Sequence, residues 1–261
     1  MTKRLEGAVV LITGAALGQG NAHARRMAAE GAHLVLGDIR VDDLETLASE
    51  LRSDGTRVLA GRLDVADPDD WSSLVQDATA EFGTITGLVN NAGIMSRGSV
   101  LDETLEDWMR TLAVNQTGVF LGLQSVAPIM QKAGRGSIVN VASTLGRYAS
   151  TVGFAYQATK GAMLMMSKSA ALSLGPSGVR VNTILPGLVD TPFLADSKER
   201  GALADPVSRT PLGRIGKAEE LASVAAFLIS DDAAYMSGAE LVVDGGMTSG
   251  SLQSLKPLKE I

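Results

Sequence analysis

Short apolar runs alternate with helix-patterned stretches along almost the whole chain. Ala8–Ile12, Ala32–Gly37, Val58–Leu63, Ile85–Val89, Gly136–Ala142, Val179–Leu185 and Glu240–Asp244 each read as a strand. Most are nearly continuous in apolar residues, as expected of strands buried on both faces. Helical patterns lie between them, from the glycine-rich turn through Arg26 to Ala29, from Asp67–Pro68 to Phe82, and over Leu105–Lys132, Tyr156–Leu174 and Lys217–Ile229. Asp67 is placed to cap its helix, with Pro68 in the first turn. This alternation predicts an α/β fold, a doubly wound parallel sheet with helices on both faces. No repeat or linker interrupts it, so residues 1–261 read as a single domain.

The first strand ends in Thr13–Gly14–Ala15–Ala16–Leu17–Gly18–Gln19–Gly20, and a helix follows. Glycines there let the backbone approach a diphosphate, and the helix N-terminus offers free N–H groups and positive dipole character. The spacing is G-x-x-x-G-x-G rather than the G-x-G-x-x-G dinucleotide fingerprint. A purely structural turn is the competing reading. The second strand ends at Asp38, 18 residues past Gly20 (38 − 20). That is close to the roughly 20 expected for an acid holding ribose hydroxyls. A carboxylate there repels a 2′-phosphate and favours NAD(H) over NADP(H). The alternative for Asp38 is a helix cap, a role that Asp42 fits better, ahead of Leu44 and Leu47. Arg40 is the dissenting residue, since a guanidinium could meet a phosphate.

Tyr156 and Lys160 stand one turn apart on one helix face. Ser143 lies where the preceding strand ends, and ligands of open parallel sheets sit at the carboxyl ends of strands. A phenol, an amine and a hydroxyl can therefore converge on one small volume. That trio suits proton transfer to or from an alcohol oxygen. A free tyrosine has a pKa of about 10, and a neighbouring ammonium is expected to lower it. Y-x-x-x-K alone also arises by chance on ordinary surface helices.

Composition narrows the alternatives. The net charge of −6 argues against a nucleic-acid binder and against anionic membrane surfaces. There is no cysteine, which excludes disulfides and thiolate chemistry, and the only histidines are His23 and His33, so no metal is expected. No run reaches the roughly 18 apolar residues of a membrane span and no signal core follows the N-terminal basic pair. The expected location is cytoplasmic. Asn115 stands in the middle of a helical pattern where its propensity is poor, so a polar task is expected of it. Residues 188–214 read as a long irregular stretch, the kind of connection that forms substrate lids. Residues 249–261 read as a polar tail. The helix after Tyr156 is apolar nearly all round, which points to a second surface covered by another subunit.

Together, Thr13–Gly14–x–x–x–Gly18–x–Gly20, Asn90–Asn91–Ala92–Gly93, Asn115, Ser143, Tyr156–x–x–x–Lys160 and Pro186–Gly187 resemble the short-chain dehydrogenase/reductase family. The match runs in order from about Leu5 to Gly246. The resemblance implies a Rossmann-type sheet of about seven strands, a nicotinamide cofactor and a homotetramer. It implies that Tyr156 is the general acid/base, that Lys160 lowers its pKa and binds the nicotinamide ribose, and that Ser143 orients the substrate oxygen. Asn115 is implied to hold a helix kink and a water linking Lys160 to solvent. Gly14, Gly18, Gln19 and Gly20 are implied to line the diphosphate, Asp38 and Ile39 the adenosine ribose, and Asp64 and Val65 the adenine. Asn91, Ala92 and Gly93 would lie along the cofactor, with Pro186, Gly187, Val189 and Thr191 at the nicotinamide. Gln19 departs from a usual Ile, Thr144 from a frequent second Ser, and Met95 follows the Asn-Ala-Gly turn.

The expected activity is reversible hydride transfer between NAD(H) and a secondary alcohol or ketone. Met95, Leu145, Tyr148, Leu188, Phe193, Leu194 and Leu203 are expected around an apolar substrate such as a steroid, terpenoid or cyclic alcohol. Arg97 and Arg147 read as solvated surface residues, with a substrate carboxylate or sugar as the alternative partner. The competing functions are a 3-oxoacyl-thioester (acyl-carrier-protein) reductase and a non-enzymatic NAD-binding regulator.

Overall fold

The computed structural model describes residues 3–151 and 153–250. Its strands are β1 (Val9–Thr13), β2 (His33–Asp38), β3 (Val58–Arg62), β4 (Gly87–Asn90), β5 (Gly136–Val141), β6 (Val179–Pro186), β7 (Val189–Asp190), β8 (Gly216–Lys217) and β9 (Glu240–Val243). Seven of them form one parallel sheet in the order β3-β2-β1-β4-β5-β6-β9. β7 and β8 pair separately as a short parallel ribbon.

Helices cover both faces: α1 (Gly18–Ala29), α2 (Val41–Ser53), α3 (Pro68–Phe82), α4 (Leu105–Leu112), α5 (Gly118–Ala133), α6 (Phe154–Leu174), α7 (Ala195–Glu199), α8 (Ala204–Ser208) and α9 (Ala218–Ile229). Side chains alternate across a strand, and the core divides accordingly. Val10 and Ile12 pack with Met27 of α1, Leu44 and Leu47 of α2 and Leu221 of α9. Val9 and Leu11 pack with Trp71 and Leu74 of α3 and Met130 of α5. Every residue of β1 is buried, which explains why its run carries no polar alternation. Trp71 is fully buried and donates its indole N–H to the Val65 carbonyl at 2.9 Å. Its truncation to Ala is expected to cost about 3–5 kcal/mol.

β1 and β4 are neighbours, and the connections leaving their carboxyl ends run in opposite directions, to β2 through α1 and to β5 through α5. Such a switch point opens a crevice there, and it positions the site.

Local signals placed several boundaries well. Asp67 caps α3 by accepting from the Asp69 N–H at 2.9 Å, and Gly83 ends that helix at φ 77°. Other expectations need correction. Asp42 stands inside the first turn of α2 rather than at its cap, where its charge favours the helix dipole. Asp38 instead leads the chain into that helix, because one of its oxygens accepts from the Arg40 N–H at 3.0 Å. The helical pattern over Leu105–Lys132 is broken by a π-helical turn at Ala113–Thr117. The stretch 188–214 is not irregular: it holds β7, a 3-10 turn at Pro192–Leu194, α7 and α8. Elements of five residues or fewer are too short to show a hydrophobic period. Most of the expected tail, residues 251–261, lies outside the described residues.

Candidate active site

At the switch point the backbone forms a tight cradle. Gly14 has φ +63°, and a Cβ on it would sit 2.9 Å from the Ala92 Cα. A Cβ on Gly20 would fall 2.0 Å from the Gly14 carbonyl oxygen. The turn 90–93 is locked onto this loop. Thr13 Oγ1 accepts from the N–H groups of Asn91 and Ala92 at 3.0 Å each. The Asn91 amide donates to the carbonyls of Thr13 at 2.9 Å and Gly14 at 3.1 Å. α1 starts at Gly18 with no side-chain cap and no acid in its first turn. Its N–H groups and dipole are therefore free for an anion.

A cleft of about 340 Å³ opens over this cradle. Of the expected residues, Gly14, Gly18, Gln19, Asp38, Ile39, Asp64, Val65, Asn91, Ala92, Gly93, Tyr156, Lys160 and Thr191 line it. Gly20 stands behind the lining, against Gly14 and the Asn91 side chain. Three expected residues lie elsewhere. Val189 is 4% exposed and buried in the core, Pro186 closes β6, and Gly187 is pressed against Asp244, where a Cβ would be 2.7 Å from the Asp244 Cβ. Asp38 accepts from the Ala16 N–H at 3.0 Å as well as from Arg40, which fixes its carboxylate at the cleft with acceptor capacity to spare. Arg40 itself turns to Asp43 at 2.7 Å. A cradle that any Cβ would fill, an uncapped helix start and a fixed carboxylate together fit a dinucleotide.

Beyond the cradle, the trio comes together. Ser143 ends the segment after β5 and caps a 3-10 turn, Thr144–Gly146, by accepting from the Leu145 N–H at 3.1 Å. Its side chain lies close enough to the Tyr156 phenol to favour the ionised form. Tyr156 and Lys160 are 8% and 3% exposed. Lys160 Nζ donates to the Val141 carbonyl at 2.7 Å and stands 5.6 Å from the centre of the Tyr156 ring. The Phe193 ring covers Tyr156 from the other side at 6.0 Å.

The electrostatics differ from the expectation that Lys160 depresses the phenol. Burial pushes Tyr156 up to about 12, and the nearby Ser143 hydroxyl is what opposes it. Burial likewise pushes Lys160 down to about 7. Desolvation favours the neutral form of each.

Asn115 sits fully buried in the π turn. Its Oδ1 accepts from the Ile94 N–H at 2.8 Å, and its amide donates to the Ile94 carbonyl at 2.8 Å and to Thr159 Oγ1 at 3.3 Å. Gly93 lies between it and Lys160, since a Cβ there would be 3.3 Å from Asn115 Oδ1 and 3.6 Å from Lys160 Nζ. Extra-residue turns of this kind often mark functional sites.

Sequence reasoning missed the polar chain behind the trio. Asn90 donates to Asn140 at 2.8 Å, and Asn140 donates to Ser167 of α6 at 2.8 Å. The available signal was an Asn inside an otherwise apolar strand. Arg147 is half-exposed, as a surface residue, and pairs with Glu240. Among the residues expected around the substrate, Phe193 touches Tyr156, and a Cβ on Gly153 at the start of α6 would lie 3.1 Å from the end of Met95.

Comparison with known proteins agrees with this geometry. A family model described as Enoyl-(Acyl carrier protein) reductase matches residues 14–248. A 3-alpha-(or 20-beta)-hydroxysteroid dehydrogenase of Mycobacterium tuberculosis is 44% identical over 250 residues, covering 96% of this chain and 93% of that one. A 2,5-dichloro-2,5-cyclohexadiene-1,4-diol dehydrogenase of Sphingobium indicum is 42% identical, covering 96% of this chain and all (100%) of that one. The crystal structure of a short-chain type dehydrogenase/reductase from Mycobacterium marinum superposes with a TM-score of 0.89 at 36% identity, over 94% of this chain and 97% of that one. With its sheet order, glycine cradle and buried Ser–Tyr–Lys cluster, the chain belongs to the short-chain dehydrogenase/reductase family of nicotinamide-dependent oxidoreductases.

Proposed function

We propose that the protein moves a hydride reversibly between NAD(H) and the CH–OH/C=O group of a secondary alcohol or ketone on a largely apolar ring. The observation that carries this reading is the Ser143–Tyr156–Lys160 cluster, buried beside the glycine cradle. The substrate class draws support from the two relatives above, named for a ring diol and a steroid, and from the Phe193 ring at Tyr156.

A nicotinamide dinucleotide, when bound, supplies or accepts the hydride. The residues Gly14, Gly18, Gln19 and Gly20 would hold its diphosphate, Asp38 and Ile39 its ribose, and Asp64 and Val65 its adenine. Asn91, Ala92, Gly93 and Thr191, with the more distant Pro186, Gly187 and Val189, would frame the rest. Tyr156, kept protonated by burial, gives its proton to the carbonyl oxygen during reduction. Ser143 holds that oxygen in line. During oxidation the phenol must first lose its proton, and the neighbouring Ser143 hydroxyl favours that form. The proton then leaves past Lys160 and Asn115. Positioned acid–base catalysis of this type contributes about 10²–10⁴-fold.

The test is Tyr156→Phe, assayed on a panel of ring alcohols and ketones. Turnover should fall by about 10³-fold while NADH binding, read by fluorescence, stays as in the wild type. Full activity in the variant refutes the acid–base role. A wild type inert across the panel revives the reading as a non-enzymatic regulator.

The Asp38 carboxylate supports NAD(H) over NADP(H). The family model's description keeps an acyl-carrier-protein thioester reductase as a second reading. That reading requires an NADPH preference in kcat/KM and turnover of a 3-oxoacyl thioester. A homotetramer is supported by exposed apolar side chains on adjoining helices: Met165 and Leu172 of α6, Phe120 of α5, and Leu105 and Met109 of α4. Light scattering that gives a monomer mass would refute it.

A further inference from the structure

We propose that Glu240 is a positioning residue for the reaction. Through Arg147 it holds the turn that carries Ser143, and through Lys168 it ties that turn to the helix that carries Tyr156 and Lys160. The proposal rests on the redox reading above and adds residues that the family resemblance does not assign.

Glu240 opens β9, paired in register with Thr183 of β6. Its side chain is only 4% exposed, against 43% for Arg147 and 46% for Lys168. Arg147 Nε donates to Glu240 Oε2 at 2.6 Å, and the second arm of the guanidinium contacts the same oxygen. Lys168 Nζ stands 2.6 Å from Oε1. One buried carboxylate therefore joins three parts of the chain that are remote in sequence. Burial works to raise its carboxyl, but Lys168 and Arg147 together hold it below the ordinary glutamate range. It stays charged and gripped at neutral pH.

Arg147 closes the 3-10 turn that Ser143 opens. Between them, Gly146 lies against α6 so closely that a Cβ would be 2.8 Å from the Lys160 carbonyl oxygen. The turn is thus fixed at three points: Ser143 at the end of the β5 segment, Gly146 on the catalytic helix, and Arg147 on Glu240. Past Arg147 the chain is exposed through Ser150. Releasing the Arg147 anchor frees the carboxyl end of the turn, and Ser143, whose hydroxyl is held by the Leu145 N–H of that turn, then loses its fixed position beside Tyr156. Small displacements of a reacting group lower rates steeply.

The experiment is a double-mutant cycle between Arg147→Met and Ser143→Ala, on the ring alcohol that the wild type oxidises fastest. Arg147 is half-exposed, so its Met variant is expected to fold. Alone, it should lower kcat about tenfold while the Kd for NADH, read by fluorescence, is unchanged. In the Ser143→Ala background the same substitution should change kcat by less than about twofold, because the group it positions is gone. Arg147→Lys, which keeps one bond to Glu240, should recover most of the rate. A purely structural anchor would lower Tm and leave kcat as it was, or lower kcat by the same factor in both backgrounds; either result overturns the proposal. A wild type inactive on every alcohol and ketone overturns the redox reading first, and this one with it.

Discussion

The cofactor cradle and the segment proposed as a substrate lid are built on opposite principles. In the cradle, Thr13–Gly20 and Asn90–Gly93 are tied by the Thr13 hydroxyl and the Asn91 side-chain amide, and a single added Cβ at Gly14 or Gly20 would overlap main-chain atoms. In the proposed lid, residues 188–214, the elements are five residues long or shorter and apolar side chains stay exposed, Phe193 at 43% and Leu212 at 66%. Its ends are tied rather than its middle: Val189 pairs with Gly216, Asp190 with Lys217, and the Leu212 N–H bonds the Gly245 carbonyl at 3.2 Å. The difference teaches where identity matters. Close backbone approach leaves the cradle no freedom of sequence, whereas a segment fixed at its ends can change its middle with the substrate.

Substitutions can break this contrast, beginning with the cradle. Gly20→Ala places a methyl 2.0 Å from a carbonyl oxygen that cannot move aside. It should cost about 3 kcal/mol and abolish NADH binding, measurable by urea unfolding and fluorescence titration.

Acid should weaken the cradle's helix before the lid. His23 of α1 is fully buried with neither ring nitrogen bonded, and burial lowers its pKa from 6.5 to about 4. The unfolded chain therefore takes up the proton first as the pH drops. Stability contributed by the neutral ring is present above about 6.5 and is lost as the pH falls toward 4. The loss is about 3 kcal/mol. His23→Leu should flatten that limb in denaturation curves taken between these pH values. A limb that keeps its slope assigns the acid sensitivity to other groups.

Asp38→Ser should erode the preference for NAD(H) by about tenfold, or roughly 1.4 kcal/mol, read as the ratio of kcat/KM for NADH and NADPH. An unchanged ratio would place cofactor choice elsewhere in the cleft. The smallest stability effect is expected in the lid. Phe193→Ala should leave unfolding within about 0.5 kcal/mol of the wild type, yet shift KM among ring substrates and move the alkaline limb of the oxidation rate to lower pH. Both follow from uncovering the Tyr156 ring. A large loss of stability would show that the lid is as tightly specified as the cradle.

Much of this architecture was legible in the residues. The apolar runs marked all seven strands of the main sheet, and Asp67–Pro68 marked the start of α3 to the residue. Thirteen of the expected cleft residues do line one cavity. The misses share a cause. Val189 packs in the core, and a residue's neighbours in sequence do not say which side of a two-residue strand turns there. The Glu240 partner of Arg147 was not legible because it lies 93 positions away. The turns of residues 188–214 were read as irregular because elements of five residues or fewer show no hydrophobic period.

The residues alone determined where glycine must stand, which runs are buried on both faces and that a phenol and an amine share one helix face. Those are consequences of backbone sterics and of helical and strand periods, which act over a few residues. Only the tertiary structure decided the protonation of that pair, the π turn that brings Asn115 to Ile94 and Thr159, and the carboxylate that grips Arg147. Desolvation and ion pairing depend on what covers a group, and here that cover arrives from distant parts of the chain.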